Sequence, residues 1–467
     1  MSIIKFEVNS RERHLYPVRA RYIRTHIMNN YNMISNFRDG GSEYISTQKA
    51  LIFELFSGKY DIETITKIFS GTFEIDLEKS EQCIKAVLDE YASHITFYPH
   101  EIQTDLSCDP MRILKKSSTK WQYNPVRYES PEELVLSLSY VCNHKCIYCC
   151  NSSGSRIEDE LSFNDWIKVI DEAADLGVET ILFSGGEPLM YPDFIKLVKR
   201  TKDNGIYPIV STNGTLISEE TAKQLSEAGI DFVHLSMSAA NEELYDSIIG
   251  YKGNLPKVKA AIKALKDNNI YIRLKVVLMP VNIKHIEELL DFCIENKVDC
   301  VHLAPFILTH ISRNGKELMP SVNDLNNLKK VINSKRNKIK ILEPSVEGMC
   351  WSGPTDIVKC GGIKSKLTII SNGNITLCET LGKTPNFILG NVKTTKIKDI
   401  WNSDLPDNIL KVNMKLVEEP CKSCEYLEGC KTGCFMCSLI YSDNSYSVDP
   451  RCWKANISNN AYRSIYS

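Results

Sequence analysis

Long apolar runs, net charge and signs of disorder are all missing from this 467-residue chain. No apolar stretch reaches the roughly 18 to 20 residues that span a bilayer, and the N-terminal segment lacks the apolar core of a signal peptide. The 56 Lys and Arg nearly balance 58 Asp and Glu, leaving a formal charge of -2, so no global field draws the chain to nucleic acid or an anionic membrane. Hydrophobic residues make up 43% and charged residues 24%, a globular rather than a disordered composition. The length exceeds one ordinary domain and predicts two or three, each with its own core. These absences lead us to expect a cytoplasmic protein with no membrane and no nucleic-acid partner. One local exception is a basic run, Arg11, Arg13, Arg19, Arg21 and Arg24, which reads as a solvated face.

Cysteine, by contrast, is abundant. The chain has seventeen, and a reducing cytosol disfavours disulfides, which leaves metal ligation or redox chemistry as the usual reason for clustering. One tight group spans Cys142 to Cys150 and a larger one Cys350 to Cys452. Cys83, Cys108, Cys293 and Cys300 stand apart and read as small buried hydrophobes.

Periodicity divides the chain into three. Residues 14–98 predict a small unit, with extended segments around Tyr22 to Met28 and Tyr44 to Ser46 followed by three helices. Thr47 can cap the first, whose apolar face is Leu51, Ile52, Leu55 and Phe56, and Gly58 follows as a stop. Ile62, Ile65, Ile68 and Phe69 mark the second helix, and Ile84, Val87, Leu88 and Tyr91 the third. Two or three strands with three helices is the pattern of a winged helix-turn-helix domain. A polar linker near 99–130 separates it from residues 131–335. There, strand candidates Leu134 to Tyr140, Thr180 to Ser184, Ile206 to Thr212, Phe232 to Met237, Ile270 to Met279 and Cys300 to Pro305 alternate with amphipathic helical stretches. Six such repeats predict an α/β fold, a partial (β/α)6 barrel with functional residues at the C-terminal strand ends and a mouth wide enough for a polymer. The third region, 345–460, opens on a hairpin signal, Asn372-Gly373, for which a type I′ turn with two positive φ angles is expected. Beyond Trp401 it is loop-rich and cysteine-dense, and needs metal to hold it together.

Cys142-x-x-x-Cys146-x-x-Cys149 follows directly on the first barrel strand. Three thiolates so spaced can hold three irons of a 4Fe-4S cube and leave the fourth iron open, although a zinc site uses the same ligands. With Tyr148 before the last cysteine, the motif resembles the signature of the radical S-adenosylmethionine (SAM) superfamily. The resemblance implies that the open iron is chelated by the amino and carboxylate groups of SAM, and that the electron it receives releases a 5′-deoxyadenosyl radical. Ser184-Gly185-Gly186-Glu187-Pro188 at the second strand end resembles the family's segment for the SAM amino group, and its Gly-Gly pair permits close backbone approach to a ligand. By the same resemblance Ser211 and Asn213, then Ser236 and Ser238, face the ribose and the methionine carboxylate. Related sequences often carry aspartate where this chain has Ser238. Arg273, with Lys275, could supply a cation for the carboxylate; outward-facing strand charges are the alternative.

Cys360, Cys378, Cys421, Cys424, Cys430, Cys434 and Cys452 form a second array. Taken alone it fits a pair of zinc knuckles as well as iron-sulfur clusters. It resembles the SPASM extension of radical SAM enzymes, which implies two auxiliary clusters and three [4Fe-4S] clusters in all. The carried-over pattern assigns Cys360, Cys378 and Cys434 to one, with Cys350 or Cys437 as a fourth ligand or an open iron. Cys421, Cys424, Cys430 and Cys452 would complete the other.

The acid-rich third helix of the N-terminal unit argues against a nucleic-acid recognition helix. The unit resembles the precursor-recognition element of ribosomal-peptide maturases, which binds a leader peptide at a sheet edge. The implied activity is a radical SAM maturase that crosslinks a precursor peptide, with a cysteine-to-carbon thioether expected and a carbon-carbon or carbon-oxygen bond as the alternative. A ferredoxin or flavodoxin-type donor is the expected source of electrons. A sulfatase-maturing enzyme and a non-catalytic metal-binding adaptor are the readings from other classes.

Overall fold

A computed structural model describes residues 12–104 apart from 29–30, 37 and 39–41, then Leu106, Ile113, 130–307 apart from 152, and 315–342 apart from 321. It also describes 362–449 apart from 363–364, 383, 406–407, 409–414, 426, 428–431, 443 and 445. Cys350, Cys360, Cys430 and Cys452 lie outside the described residues.

The N-terminal unit contains β1 (Tyr16–Arg19), β2 (Ile23–Met28), β3 (Tyr31–Asn36), β4 (Ser42–Ile45), α1 (Thr47–Leu55), α2 (Ile62–Phe73), α3 (Leu77–Glu90) and β5 (Ile95–Tyr98). Strands β2, β3 and β4 form an antiparallel sheet in that order, and β1 pairs with β5. Asp61 and Asp76 cap α2 and α3 through their side chains, which satisfies amides that the first turn leaves free. The cap of α1 is Ser46 rather than the expected Thr47: its hydroxyl accepts from the Lys49 amide, and Thr47 is already helical. Apolar stripes from the three helices meet Ile23 and Ile34 of the sheet in one core.

The basic run is only in part a solvated face: Arg13 is exposed, Arg11 lies outside the described residues, and two of its members are buried. Arg19 and Arg24 are 2% and 4% exposed. Arg19 donates to the Phe53 carbonyl at 2.6 Å and sits 3.6 Å from the Glu54 carboxylate, so helix α1 supplies the acceptors that burial demands.

The barrel runs β6 (Glu133–Ser137), α4 (Phe163–Leu176), β7 (Thr180–Ser184), α5 (Phe194–Asp203), β8 (Tyr207–Thr212), α6 (Glu219–Ala228), β9 (Phe232–Ser236), α7 (Glu242–Ile249), α8 (Leu255–Asp267), β10 (Tyr271–Leu278), α9 (Ile286–Glu295), β11 (Cys300–Pro305), α10 (Val322–Lys335) and β12 (Lys340–Leu342). Strands β6 to β12 lie side by side in chain order, all parallel. Helix α4 shows how local sequence builds the repeat. Ser162 and Asp165 form a capping box, Trp166, Val169, Ile170 and Ala173 give the buried stripe, and Gly177 ends the helix in the left-handed region.

The C-terminal region adds β13 (Lys366–Ile369), β14 (Asn374–Thr376), β15 (Ile388–Asn391), α11 (Ile397–Asn402) and α12 (Phe435–Ser442). Strand β13 pairs parallel with β6, so this region extends the barrel sheet instead of packing as a separate layer. The Asn372-Gly373 hairpin forms, but only Gly373 has positive φ, at 90°. The turn is a 370–373 turn closed by the Gly373 amide on the Ile370 carbonyl, followed by a left-handed glycine, so the type I′ expectation is corrected.

The N-terminal unit closes the floor of the barrel. Tyr22 packs against Tyr207, Ile209 and Phe232 at the start of β8 and β9. Arg38 lies 4.0 Å over the Tyr22 ring and pairs with Asp231 at 2.9 Å. Among the described residues, no helix is long and apolar enough to cross a membrane.

Candidate active site

Cys142, Cys146 and Cys149 sit on the loop that leaves β6, all three partly exposed. The loop is held from two sides. Lys145 and Ile147 donate backbone hydrogen bonds to the Ile249 and Ile248 carbonyls at the end of α7, at 2.8 and 3.0 Å. Gly154 donates to the Tyr140 carbonyl at 2.7 Å, and the Glu160 carboxylate takes the Ser139 hydroxyl at 3.1 Å. Burial, then Cys149 and Cys142 nearby, push the Cys146 thiol up to about 12. Burial likewise raises Cys142 to about 11, against the His144 amide that points at its sulfur. Sulfurs gathered on one loop in this way call for a shared cation.

The Gly185-Gly186 pair also permits a close approach within the chain. A Cβ on Gly186 would lie 2.0 Å from the Val141 carbonyl oxygen, and one on Gly185 would lie 2.5 Å from that of Ser139. Their close approach is to the cysteine loop of this same chain, where Gly186 and Glu187 donate to Ser139 and Val141 at 2.7 and 2.9 Å. The pair thereby brings Glu187 against the loop. Its carboxylate is 3% exposed and accepts from Thr212 Oγ1 at 2.7 Å, Asn213 N at 2.8 Å and Leu189 N at 3.1 Å. Burial outweighs these bonds and raises Glu187 to about 7.

Asn213 joins the loop directly, donating from Nδ2 to Asn143 Oδ1 at 2.7 Å. Ser211 and Ser236 are partly exposed at the ends of β8 and β9, on the face opposite the helix-packed residues Val210 and Leu235. Ser238 is only 1% exposed, and its hydroxyl donates to the Tyr148 hydroxyl at 3.1 Å. That bond holds Tyr148 in place. Arg273 is not brought to this site. It projects from the early part of β10 and donates from Nη2 to the Arg38 carbonyl at 2.7 Å, at the floor of the barrel, because the strand presents its first residues to the N-terminal unit.

Four residues that the motifs do not name complete the site. Asn151 donates to the Gly185 carbonyl at 2.9 Å and to Glu379 at 3.2 Å. Glu379 also accepts from Ser137 at 2.6 Å, tying the residue after Cys378 to the end of β6. Asn143 links Asn213 and Thr215. Asn282 holds the Ser238 carbonyl at 3.1 Å. Position inside the cysteine loop, or beside a candidate ligand cysteine, is the only sequence signal for the first three. Of the C-terminal cysteines, Cys378, Cys424 and Cys434 are partly exposed, while Cys421 and Cys437 are buried, Cys437 within the hydrophobic core at the start of α12. Among the described residues no three Cys, His, Asp or Glu side chains converge on a single-ion site. A cubane places its thiolates on separate irons and does not require such convergence.

Residues 136–293 match the model of the radical SAM superfamily, and residues 360–425 match SPASM, an iron-sulfur cluster-binding domain. The chain is thus an enzyme with a radical SAM domain. This radical SAM enzyme is 27% identical over 329 residues to the PqqA peptide cyclase of Gluconobacter oxydans (strain 621H), across 69% of this chain and 90% of that relative. Its fold matches the crystal structure of Streptococcus suis SuiB bound to precursor peptide SuiA, with a TM-score of 0.66 and 21% identity over 93% of this chain and 98% of SuiB. Native anSMEcpe with bound AdoMet matches at a TM-score of 0.56 and 20% identity, over 71% of this chain and 94% of that one. SAM and iron-sulfur clusters are therefore the cofactors of this radical SAM enzyme. The donor set fits them: three thiols of one loop stand beside a buried carboxylate that has no cation partner among the described residues and would welcome an ammonium group.

Proposed function

We propose that this radical SAM enzyme crosslinks a ribosomally made precursor peptide through a thioether between a cysteine sulfur and a carbon. The observation that carries the reading is the N-terminal unit. Its sheet ends in β4, an edge strand among the described residues, and Glu43 of β4 is tied to the end of α3 through the Tyr91 hydroxyl and through Lys49, which also pairs with Glu90 at 2.7 Å. An extended leader laid along β4 would gain main-chain hydrogen bonds there and raise the local concentration of the segment to be modified. We read the unit as a winged helix-turn-helix recognition element. Similarity to a named peptide cyclase over two thirds of the chain supports a peptide substrate.

The bound cluster and SAM supply the carbon-centred radical that starts the reaction. The chain's own residues hold and shield: Cys142, Cys146 and Cys149 grip iron, Glu187 accepts from the SAM ammonium, and Ser211 and Ser236 offer hydroxyls at the strand ends. Cys360, Cys378 and Cys434, with Cys350 or Cys437, would hold one auxiliary cluster, and Cys421, Cys424, Cys430 and Cys452 the other. Three [4Fe-4S] clusters in a cytoplasmic enzyme fed by a ferredoxin or flavodoxin-type donor complete the reading.

The test is anoxic turnover with SAM, a reductant and the small proteins encoded beside the gene. Thioether formation yields 5′-deoxyadenosine and a peptide two hydrogens lighter that has lost an alkylatable thiol. A product that keeps every thiol would assign a carbon-carbon or carbon-oxygen bond instead. SAM cleavage that leaves every candidate peptide unchanged would overturn the peptide reading.

A further inference from the structure

The barrel lumen carries positive charge that the reading above does not use. Ile272, Leu274 and Val276 of β10 face the helices in the main core, so Arg273 and Lys275 face inward. Register places His234 of β9 beside Arg273 and His302 of β11 beside Lys275, with Ser236 on the other side of Lys275. Both histidines are 8% exposed, and neither ring nitrogen of either has a hydrogen-bond partner among the described residues.

The neighbouring charges do not satisfy this group. Lys366 of β13 is spent on Glu133 at 2.8 Å. Arg273 is drawn to the floor by the Arg38 carbonyl. Glu133 and Glu379 act on Lys275 only at range, and no ion pair or hydrogen bond engages its ammonium among the described residues. Burial, then Arg273, lower Lys275 to about 8, and burial with Lys275 and Arg273 lowers His302 to about 3. Among the described residues, Glu133 and Glu132 act on Lys366 and Glu379 reaches Lys275 only at range, which leaves the Lys275 ammonium beside two neutral imidazoles that each retain an N–H to donate. A half-buried ammonium beside two buried, unpartnered imidazoles is a ready seat for an anion. The floor is sealed by Tyr207, Phe232 and the N-terminal unit, so such an anion would enter from the cluster end.

We propose that Lys275, with His234 and His302 beside it, receives a carboxylate carried by the segment of the peptide that is being modified. This rests on the peptide reading above and names a chemical requirement of the substrate: an Asp or Glu side chain near the reacting position. The methionine carboxylate of SAM, for which the sequence offers Lys275 as a cation, is the other source of the same chemistry, and the SAM-affinity arm of the experiment separates the two.

The experiment uses the reconstituted holoenzyme and the precursor that the wild type modifies, with each core Asp and Glu changed in turn to Asn or Gln. Rates are read with Lys275→Met and Lys275→Arg, and affinities for unmodified peptide and for SAM without reductant. One acidic-to-amide change should cost the wild type about 10-fold or more in kcat/KM and in peptide affinity, as loss of a desolvated charged hydrogen bond does. Lys275→Met should show the same loss with the native peptide and no further loss with the amide peptide, and Lys275→Arg should recover most of it. Losses that multiply in the double variant, or a wild type indifferent to every acidic position, would overturn the proposal. Weaker SAM binding by Lys275→Met, with peptide binding intact, would assign the carboxylate to SAM and overturn it as well. A wild type that modifies no peptide removes the underlying function, an outcome distinct from these.

Discussion

Glu187 places a carboxylate in a site that is 3% exposed and supplies it with hydrogen-bond donors but, among the described residues, no cation. Burial raises it from an ordinary 4.5 to about 7. An acid whose folded value lies above its unfolded one contributes stability that is complete below about pH 4.5 and lost as pH rises through about 7. The size of that loss is on the order of 3 kcal/mol. Cofactor-free protein should therefore lose urea resistance between pH 5 and pH 8. Glu187→Gln should flatten that slope, and so should saturating SAM in the wild type. Parallel slopes for variant and wild type would contradict this reading of the carboxylate. At the same scale, sequence reading succeeded where contacts are local. Cys142, Cys146 and Cys149 could be placed on one loop from spacing alone. Arg273 could not be placed, because the carbonyl that takes its guanidinium belongs to a residue 235 positions away. Arg19 and Arg24 read as solvated for the same reason: the acceptors on α1 that allow Arg19 to be buried are 34 and 35 residues distant.

Among the elements, the barrel strands were legible because strands of a parallel sheet are covered on both faces and read as short apolar runs between amphipathic helices. Strand β3 was missed, since YNMISN is too polar to announce itself, and so was α7, eight residues in which Glu242 and Glu243 dilute the apolar stripe. The joining of β13 to β6 is a long-range pairing that no local pattern encodes. The docking of the N-terminal unit was equally invisible, and the contacts around Arg38 are one part of it, beside Arg21 on Gly229 and Tyr207. Arg38→Ala removes the ion pair with Asp231 and the guanidinium face over Tyr22. The expected cost is on the order of 1–3 kcal/mol, lower than a fully buried pair because both partners keep some solvent access. In urea unfolding, the N-terminal unit should then melt ahead of the barrel, resolved by hydrogen exchange in α2 and α8. A variant in which both still unfold together at the wild-type midpoint would show that the docking lies elsewhere.

The whole molecule is a barrel closed at one end and chemically equipped at the other. The N-terminal unit seals the floor, the cysteine loop crowns the opposite strand ends, and Asn151 and Glu379 connect that loop to the C-terminal extension. In the proposed function the peptide would approach from the loop end of the barrel. That arrangement has force only if the three-cysteine loop holds an iron cluster with a corner open to SAM. The direct measurement is electron paramagnetic resonance of the reduced protein in which Cys378, Cys421, Cys424 and Cys434 are replaced by Ala, recorded with and without SAM. The account predicts one reduced [4Fe-4S] signal whose g values shift when SAM is added. A signal that SAM leaves unchanged, or a loop that carries zinc and gives no signal, would contradict it.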